Sequence, residues 1–178
     1  MIISLAGRRI DAAEAEQRRF PPENVAMVQQ RIGAALEECG ATAVVSSAAC
    51  GADLLALTEA GQRGLRRRII LPFDREKFRE TSVTDRPGDW GALYDRVLDE
   101  VEERGDLLII AAGSEDEAYS QTNHAIVDEA LSIGQIVGQG VAAIVVWDGK
   151  SRGQGDLTEG FGGYAKSKGI RIVEVNTI

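Results

Sequence analysis

The fold is decided by the apolar run VAAIVVW at residues 141–147, which continues into DGKSRGQGDLTE at residues 148–159. The first segment has the continuous Val and Ile content of a strand that is buried on both faces of a sheet. The second is a glycine-rich turn that leads into a helical pattern at Leu157–Lys168. A glycine-rich turn between a strand and a helix brings backbone N–H groups and the positive end of the helix to one place. This unit therefore predicts a site for an anionic ligand.

The same alternation of apolar runs and helical patterns extends along the chain. Strands are expected at Ile2–Ala6, Ala43–Ser46, Arg68–Phe73, Leu107–Ala111, Ala142–Trp147 and Arg171–Val175. Helices are expected at Pro22–Cys39, Ala52–Gln62, Trp90–Glu103, Asn123–Val137 and Leu157–Lys168. This order predicts an α/β, Rossmann-like three-layer sandwich with a mostly parallel six-stranded sheet, and residues 1–178 as a single nucleotide-binding domain. The long Asp74–Asp89 connection is expected to be a functional or mobile loop.

Composition and charge limit the classes of function. The formal net charge of −8 disfavours nucleic acid and anionic membranes as main partners, because both require a broad cationic face. No apolar run reaches the roughly 20 residues that cross a bilayer, and the strand-like start at Ile2 does not resemble a signal peptide. We therefore expect a cytoplasmic protein. The basic segment from Arg63 to Arg86 could favour a small anion, or could consist of solvated loop and helix charges.

Metal and thiol chemistry have little support in the sequence. Cys39 and Cys50 are too few for a disulfide scaffold or a zinc site, and His124 is the single histidine. Cys50 lies in a candidate binding turn, so a pairing with His124 is an open alternative to a buried, inert thiol. We expect no metal site and no resident cofactor.

Residues at the carboxyl ends of the strands are the candidates for ligand binding, because doubly wound sheets bind ligands there. These candidates are Gly7 and Arg8, then Ser47, Gly51, Ala52 and Asp53, then Pro72, and finally Asn123. Arg8 could bind a phosphate or carboxylate, or be neutralised by Asp11 or Glu14. The small residues from Ser47 onward leave room for a ligand, or serve ordinary tight packing. Asn123 could contact a base or ribose, whereas helix capping explains Thr122 and Asn123 equally well.

The turn after the fifth predicted strand adds Gly153, Gly155, Asp156 and Glu159 as candidates. The spacing Asp156-x-x-Glu159 matches a capping box, which explains both carboxylates without a ligand. The alternative is that Glu159 acts as a general acid or base, because a carboxylate at a helix start can face a pocket.

These turns resemble the SLOG superfamily of Rossmann-like domains, which includes the LOG phosphoribohydrolases. LOG enzymes carry Pro-Gly-Gly-x-Gly-Thr-x-x-Glu after a late strand, and residues 151–159 align with it without gaps. The alignment keeps Gly153, Gly155 and Glu159 but replaces the proline by Ser151, the first glycine by Arg152 and the threonine by Asp156, so the motif is only partly met. An aspartate at this position would repel phosphate unless it caps the helix. LOG chemistry also uses an arginine, for which the stand-ins are Arg8, Arg9, Arg79 and Arg152. The resemblance implies Glu159 with Arg8 as catalytic residues.

A closer likeness covers nearly the whole chain. An uncharacterised SLOG-like module of bacterial signalling proteins is similar to this chain at Phe20–Pro22, Ser47–Leu55, Leu71–Phe73, Phe78–Val83, Thr122–Asn123 and Val146–Gly149. That module usually has Gly-His-x-Ile-Asp after the first strand, where this chain has arginine at position 8. The resemblance implies a nucleotide-derived ligand and a sensory or base-releasing role.

Two functions follow from these patterns. The first is the binding or sensing of a small nucleotide-derived ligand at the C-terminal edge of the sheet. The alternative is an N-glycosidic hydrolase of nucleoside monophosphates that uses Glu159 with an arginine. Because LOG relatives are often dimers, the resemblance also implies a homodimer as a candidate assembly, with the Asp74–Asp89 connection or an edge strand as the contact.

Overall fold

A computed structural model describes residues 1–110 and 115–178 of the chain. These residues form a sheet with strands β1 (Ile2–Gly7), β2 (Ala43–Ser46), β3 (Arg66–Leu71), β4 (Leu107–Ile109), β5 (Val141–Trp147) and β6 (Arg171–Asn176). The strand order is β4-β3-β2-β1-β5-β6, and every neighbouring pair is parallel. The predicted α/β, Rossmann-like fold with a parallel six-stranded sheet is confirmed.

Helices cover both faces of the sheet. They are α1 (Val25–Glu38), α2 (Ala52–Gln62), α3 (Arg75–Ser82), α4 (Trp90–Glu102), α5 (Glu115–Val137) and α6 (Leu157–Ser167), and a 3-10 turn at Pro22–Asn24 precedes α1. Helices α1, α2 and α4 share one hydrophobic core with the sheet, and α5 and α6 share a second core on the opposite face. Among the described residues, no helix combines the length and the apolar character needed to cross a membrane.

The central strands β1, β2 and β5 are almost continuously apolar because each contributes to both cores. In β5, Ala142, Ile144 and Val146 pack into the α1–α2–α4 core, whereas Ala143 and Val145 pack into the α5–α6 core. Burial of one such aliphatic side chain stabilises the fold by about 1.5–3 kcal/mol. A run with this composition has no solvent-facing side, so it is stable only at the centre of a covered sheet.

The Asp74–Asp89 connection differs from the expected loop, because half of it forms α3. Asp74 caps this helix by accepting a hydrogen bond from the Lys77 backbone N–H at 2.9 Å. Phe78 is buried and stacks on Tyr94 with 6.2 Å between ring centroids. The eight residues of α3 are too few and too polar to give a clear helical pattern, so its stability depends on the Phe78 contact.

The start of α5 also corrects the prediction. The helix begins by Glu115, so Thr122 and Asn123 lie inside it and do not cap it. The Thr122 hydroxyl donates to the Ala118 carbonyl at 2.8 Å, and the Asn123 amide donates to the Leu157 carbonyl at 2.8 Å. Ala111 and Gly113, which the sequence placed in the fourth strand and the following loop, lie outside the described residues.

The basic segment forms ion pairs within the protein. Strand β3 begins at Arg66, two residues before its predicted start, because the arginines of its first half pair with acidic side chains of neighbouring elements. The pairs in this segment are Arg66–Asp106, Arg67–Glu100, Arg68–Glu129, Arg75–Asp99 and Arg79–Asp95, at 2.7–2.9 Å. These residues are therefore used within the fold and do not form a basic surface for an anion.

Candidate functional site

A cleft opens where the strand order reverses. The chain adds β2, β3 and β4 on one side of β1 and then returns to the other side with β5 and β6. The connections that leave the carboxyl ends of β1 and β5 consequently diverge, which is where doubly wound sheets bind ligands. The cleft has a volume of about 890 Å³ and is lined by the β1–α1 connection, the β2–α2 turn, α3, α5 and the β5–α6 turn.

The structure brings most of the predicted site residues together in this cleft. Its lining includes Gly7, Arg8, Ser47, Asp53, Asn123, Gly155 and Asp156. The other candidates lie outside the lining, namely Gly51, Ala52, Pro72, Gly153 and Glu159. Contact with a ligand remains a prediction for all of them.

Gly51 has a packing role that the sequence left open. Its φ is +97°, and a Cβ atom at this position would lie 2.8 Å from the Ile10 nitrogen and 2.9 Å from the Arg8 carbonyl oxygen. The neighbouring Ala52 N–H donates to that same carbonyl at 3.2 Å. Gly51 therefore lets the first turn of α2 pack directly under the chain that leaves β1.

Arg8 is a buried residue that holds the wall of the cleft together. Its side chain is 2% exposed, and its two terminal nitrogens donate to the two carboxylate oxygens of Asp156 at 2.7 Å each. The same guanidinium donates to the Lys150 carbonyl at 2.6 Å and to Asp148 at 3.3 Å. Arg8 thus ties β1 to the β5–α6 connection, and most of its donors are already used.

Asp156 caps α6, as the sequence predicted. Its carboxylate accepts from the backbone N–H groups of Thr158 at 2.9 Å, Glu159 at 3.2 Å and Arg152 at 2.7 Å. Burial by itself raises the pKa of Asp156, but the hydrogen bonds from Arg8 and from these backbone groups outweigh it and lower the pKa to about 2. The chain's own carboxylate therefore occupies the N–H groups at the start of α6 that an anion would otherwise use.

Glu159 does not complete the capping box. Its carboxylate accepts from the Ser151 hydroxyl at 2.5 Å, whereas the Asp156 backbone N–H donates to the Gly153 carbonyl at 3.2 Å. The Glu159 residue is exposed. This arrangement closes the glycine-rich turn upon itself and leaves Glu159 beside the cleft and outside its lining.

Arg152 is a cleft arginine that, unlike Arg8, has no ion-pair partner among the described residues. Among the described residues, no carboxylate lies within ion-pair distance of its guanidinium, although its side chain lines the cleft. Arg152 is an exposed residue, but partial burial of its guanidinium lowers its pKa, and the positive charge of Arg8 lowers it further. Asp156 acts in the opposite direction, and the charges of Arg19 and Arg86 add smaller lowering effects. An anion in the cleft would relieve this repulsion.

Arg86 is a second cleft arginine with incomplete bonding. Its Nε lies 3.4 Å from the Asp85 carboxylate but is buried without a hydrogen bond in the described part of the structure. Asp85 instead accepts from Arg9 at 2.9 Å through both of its oxygens. The Asp85 carboxylate therefore lies at ion-pair distance from both Arg9 and Arg86.

The β2–α2 turn presents two buried polar atoms without partners. Asp53 is 6% exposed, and its Oδ2 accepts from the Ala49 N–H at 3.3 Å. Within residues 1–110 and 115–178, Asp53 Oδ1 and Ser47 Oγ are buried without a hydrogen-bond partner. Burial raises the pKa of Asp53 to about 7, although the N–H groups of Ala49 and Gly7 and the charge of Arg9 act in the opposite direction. Buried polar atoms are rarely left without a hydrogen bond, so Asp53 Oδ1 and Ser47 Oγ are unusual among buried polar atoms.

The thiol alternative is not supported. Cys50 is fully buried, and burial raises the pKa of its thiol to about 11, which keeps it protonated at neutral pH. His124 stacks on Tyr164 with 3.8 Å between ring centroids. Neither Cys50 nor His124 is part of the cleft lining.

Sequence reasoning missed one whole wall of the cleft. The irregular stretch after β1 contributes Ala12, Ala15, Glu16, Gln17 and Arg19 to the lining. Asp11 holds this stretch in place, because its carboxylate accepts from the backbone N–H groups of Arg19 at 2.9 Å and Phe20 at 3.0 Å. Arg86, Tyr119, Thr81 and Ser82 were also missed as cleft residues. No periodicity in the sequence marks these residues as part of a cleft.

No family model and no curated protein matches the chain. Among solved structures, the chain is similar to the X-ray structure of DNA processing protein A (DprA) from Streptococcus pneumoniae, with a TM-score of 0.44 and 14% sequence identity. That similarity covers 98% of this chain, which spans 58% of the length of the DprA chain. The fold assignment above comes from the strand order and not from this likeness.

Proposed function

We propose that the protein binds a small, phosphorylated, nucleotide-derived ligand in the cleft at the carboxyl ends of β1, β2 and β5. The observation that carries this proposal is Arg152, a cleft guanidinium that has no carboxylate at ion-pair distance in the described part of the chain. The cleft volume of about 890 Å³ lies within the range that small-molecule sites occupy. In a bacterial signalling setting, which the resemblance implies, occupancy of the cleft would be the signal.

The arrangement of charges supports an anionic ligand in particular. Arg8 and Arg19 are paired with Asp156 and Asp148, so they form the frame of the site. Arg152 lies against this frame, and a phosphate there would gain a charge-assisted hydrogen bond without breaking an existing ion pair. The proposal therefore places the anion at the side chain of Arg152 and not at the N-terminus of α6, which Asp156 caps.

Calorimetry with ribose 5-phosphate, inorganic phosphate and the four ribonucleoside 5′-monophosphates tests the proposal. We expect at least one organic phosphate to bind, and Arg152→Gln to weaken its affinity roughly 10- to 100-fold, because a hydrogen bond to a charged group contributes about 1.5–3 kcal/mol. At a free ligand concentration of 100 times Kd, binding should also stabilise the folded protein by about 2.7 kcal/mol.

The matched control is Arg96→Gln, since Arg96 is exposed on α4 and lies outside the cleft lining. This variant should bind like the wild type. Absence of binding by every probe would overturn the proposal, as would equal affinity of wild type and Arg152→Gln.

N-glycosidic hydrolysis is the alternative proposal. The roles assigned to Arg8 and Glu159 have no geometric support, because Arg8 is bonded to Asp156 and Glu159 is bonded to Ser151 outside the cleft lining. Release of free base from nucleoside monophosphates, lost in Glu159→Gln, would favour hydrolysis over binding alone.

A further inference from the structure

We propose that Ser47 and Asp53 form a subsite that accepts the sugar hydroxyl groups of the ligand and thereby selects ribose over hydroxyl-free sugars. This inference rests on the proposed function, since it assigns the part of the ligand that lies away from the phosphate. Its basis is that Asp53 Oδ1 and Ser47 Oγ are both buried, both unpaired among the described residues, and both on side chains that line the cleft.

The orientation of Asp53 is fixed by its second oxygen. Oδ2 accepts from the Ala49 N–H at 3.3 Å, within the same β2–α2 turn. The Gly7 N–H also stabilises the carboxylate, but Oδ1 has no hydrogen-bond partner among the described residues and is the oxygen left for another donor. The residue is 6% exposed, which restricts its contact with bulk water. A donor on a ligand in the cleft is therefore the partner that would satisfy this oxygen.

The chemistry of the two atoms favours a neutral hydroxyl-bearing group. Above its pKa of about 7, Asp53 is a carboxylate whose oxygens accept hydrogen bonds, and a serine hydroxyl both donates and accepts. Neighbouring sugar hydroxyls can donate to Asp53 and either donate to or accept from Ser47. A cationic ligand group is disfavoured, because Arg9, Arg86 and Arg152 already line the same cleft.

The test compares ribonucleoside 5′-monophosphates with their 2′,3′-dideoxy counterparts by calorimetry. In the wild type we expect the dideoxy compound to bind roughly 10- to 100-fold more weakly, because it leaves buried polar atoms unpaired. In Ser47→Ala and in Asp53→Asn the ribonucleotide should lose affinity, whereas the dideoxy compound should not. Asparagine keeps an oxygen for the Ala49 N–H and presents an NH₂ group in place of Oδ1, so it replaces the acceptor by a donor.

Two controls separate this inference from the proposed function. Ser46→Ala alters the adjacent buried serine, whose hydroxyl donates to the Leu5 carbonyl at 2.9 Å outside the cleft lining, and should keep the wild-type ratio of the two affinities. Arg152→Gln should weaken both compounds equally and also keep the ratio.

The outcomes are distinct. If no nucleotide binds, the proposed function fails and the subsite fails with it. If nucleotides bind with Arg152 dependence but the ratio is near one, or is unchanged in Ser47→Ala, the subsite alone is overturned. Affinities that depend on the base but are equal for the ribose and dideoxyribose compounds would likewise overturn the subsite. That result would instead assign Asp53 Oδ1 and Ser47 Oγ to an amino group of the base. Should Asp53→Asn fail to fold, Ser47→Ala decides the question.

Discussion

Among single residues, Asp156 has three structural roles, of which the sequence motif indicates only the helix cap. It caps α6, it accepts the Arg152 backbone N–H and it neutralises the buried guanidinium of Arg8. A threonine, as in the LOG pattern, could provide a cap but not the charge that Arg8 requires. The arginine at position 8 and the aspartate at position 156 are therefore understood as a pair, although they are far apart in the chain.

Replacement of Asp156 by asparagine should destabilise the protein by about 3 kcal/mol, because it leaves the buried Arg8 charge with only its longer, 3.3 Å ion pair to Asp148. Since the folded-state pKa of Asp156 is lowered to about 2, its ionised form contributes stability at neutral pH that is lost as the pH falls from about 4 through 2. Urea unfolding of both proteins at pH 7 and pH 3 measures this effect.

The control for this prediction is Asp128→Asn. Asp128 pairs with Lys168 at 3.1 Å at a half-exposed position, so its loss should cost less than about 1 kcal/mol. Equal destabilisation by the two substitutions would contradict the assignment of Asp156 to the buried pair.

At the scale of elements, the β5–α6 turn is a preformed loop whose backbone conformation depends on glycine. Gly155 has a φ of +83°, and a Cβ atom there would have no neighbour within 4 Å among the described atoms. The glycine is therefore required by the backbone and not by close packing. The turn places Arg152 in the cleft and Asp156 under Arg8, so its conformation matters for both.

Gly155→Ala should lower the free energy of unfolding by about 1–2 kcal/mol, which is the strain of a left-handed conformation in a residue with a side chain. Gly160→Ala is the matched control, since Gly160 lies within α6 and also has open space around its added Cβ atom. Alanine favours a helix, so this control should be neutral or more stable by up to about 1 kcal/mol. Chemical denaturation of both variants measures the difference, and a stable Gly155→Ala would show that the turn rearranges without cost.

At the scale of the whole molecule, the fold determines a pH dependence that no segment has by itself. Helix α2 packs below the connection that leaves β1, and Asp53 in its first turn becomes buried. Burial raises the pKa of Asp53 to about 7 from an ordinary value of 3.8. The folded state therefore retains this proton between about pH 4 and pH 7, whereas the unfolded state releases it, so stability decreases as the pH rises through that window.

Asp53→Asn removes this titration and should be more stable than the wild type at pH 8, by up to about 4 kcal/mol for a shift of about three pKa units. The advantage should shrink as the pH falls towards 4. Urea unfolding of both proteins at pH 4, 6 and 8 provides the comparison, which also cancels the contributions of all other titrating groups. A stability difference that does not change with pH would rule out the titration of Asp53.

The limits of sequence prediction at the cleft can be traced to particular residues. Ser47 and Asp53 were predicted as cleft residues because they follow the end of β2, and the topology brings the strand ends to one edge. Asn123 also lines the cleft, but it lies inside α5 and not at the helix start where the sequence placed it. Arg19, Arg86 and Tyr119 were missed because their positions depend on the irregular stretch after β1, on the turn after α3 and on the early start of α5. Helix α3 was missed because eight mostly polar residues give a helical signal only once Phe78 has a partner.

The layered α/β fold follows from the sequence alone, because a strand that is apolar on both faces can only be buried between two layers of helices. It also determined the cap at Asp156, since a capping hydrogen bond forms within a few residues. Which arginines form ion pairs within the fold depends on the tertiary structure. Arg8, Arg19 and the β3 arginines have partners distant in sequence, whereas Arg152 has no carboxylate at ion-pair distance in the described chain. Pairing between distant charges depends on where the fold places them, so local sequence cannot specify it.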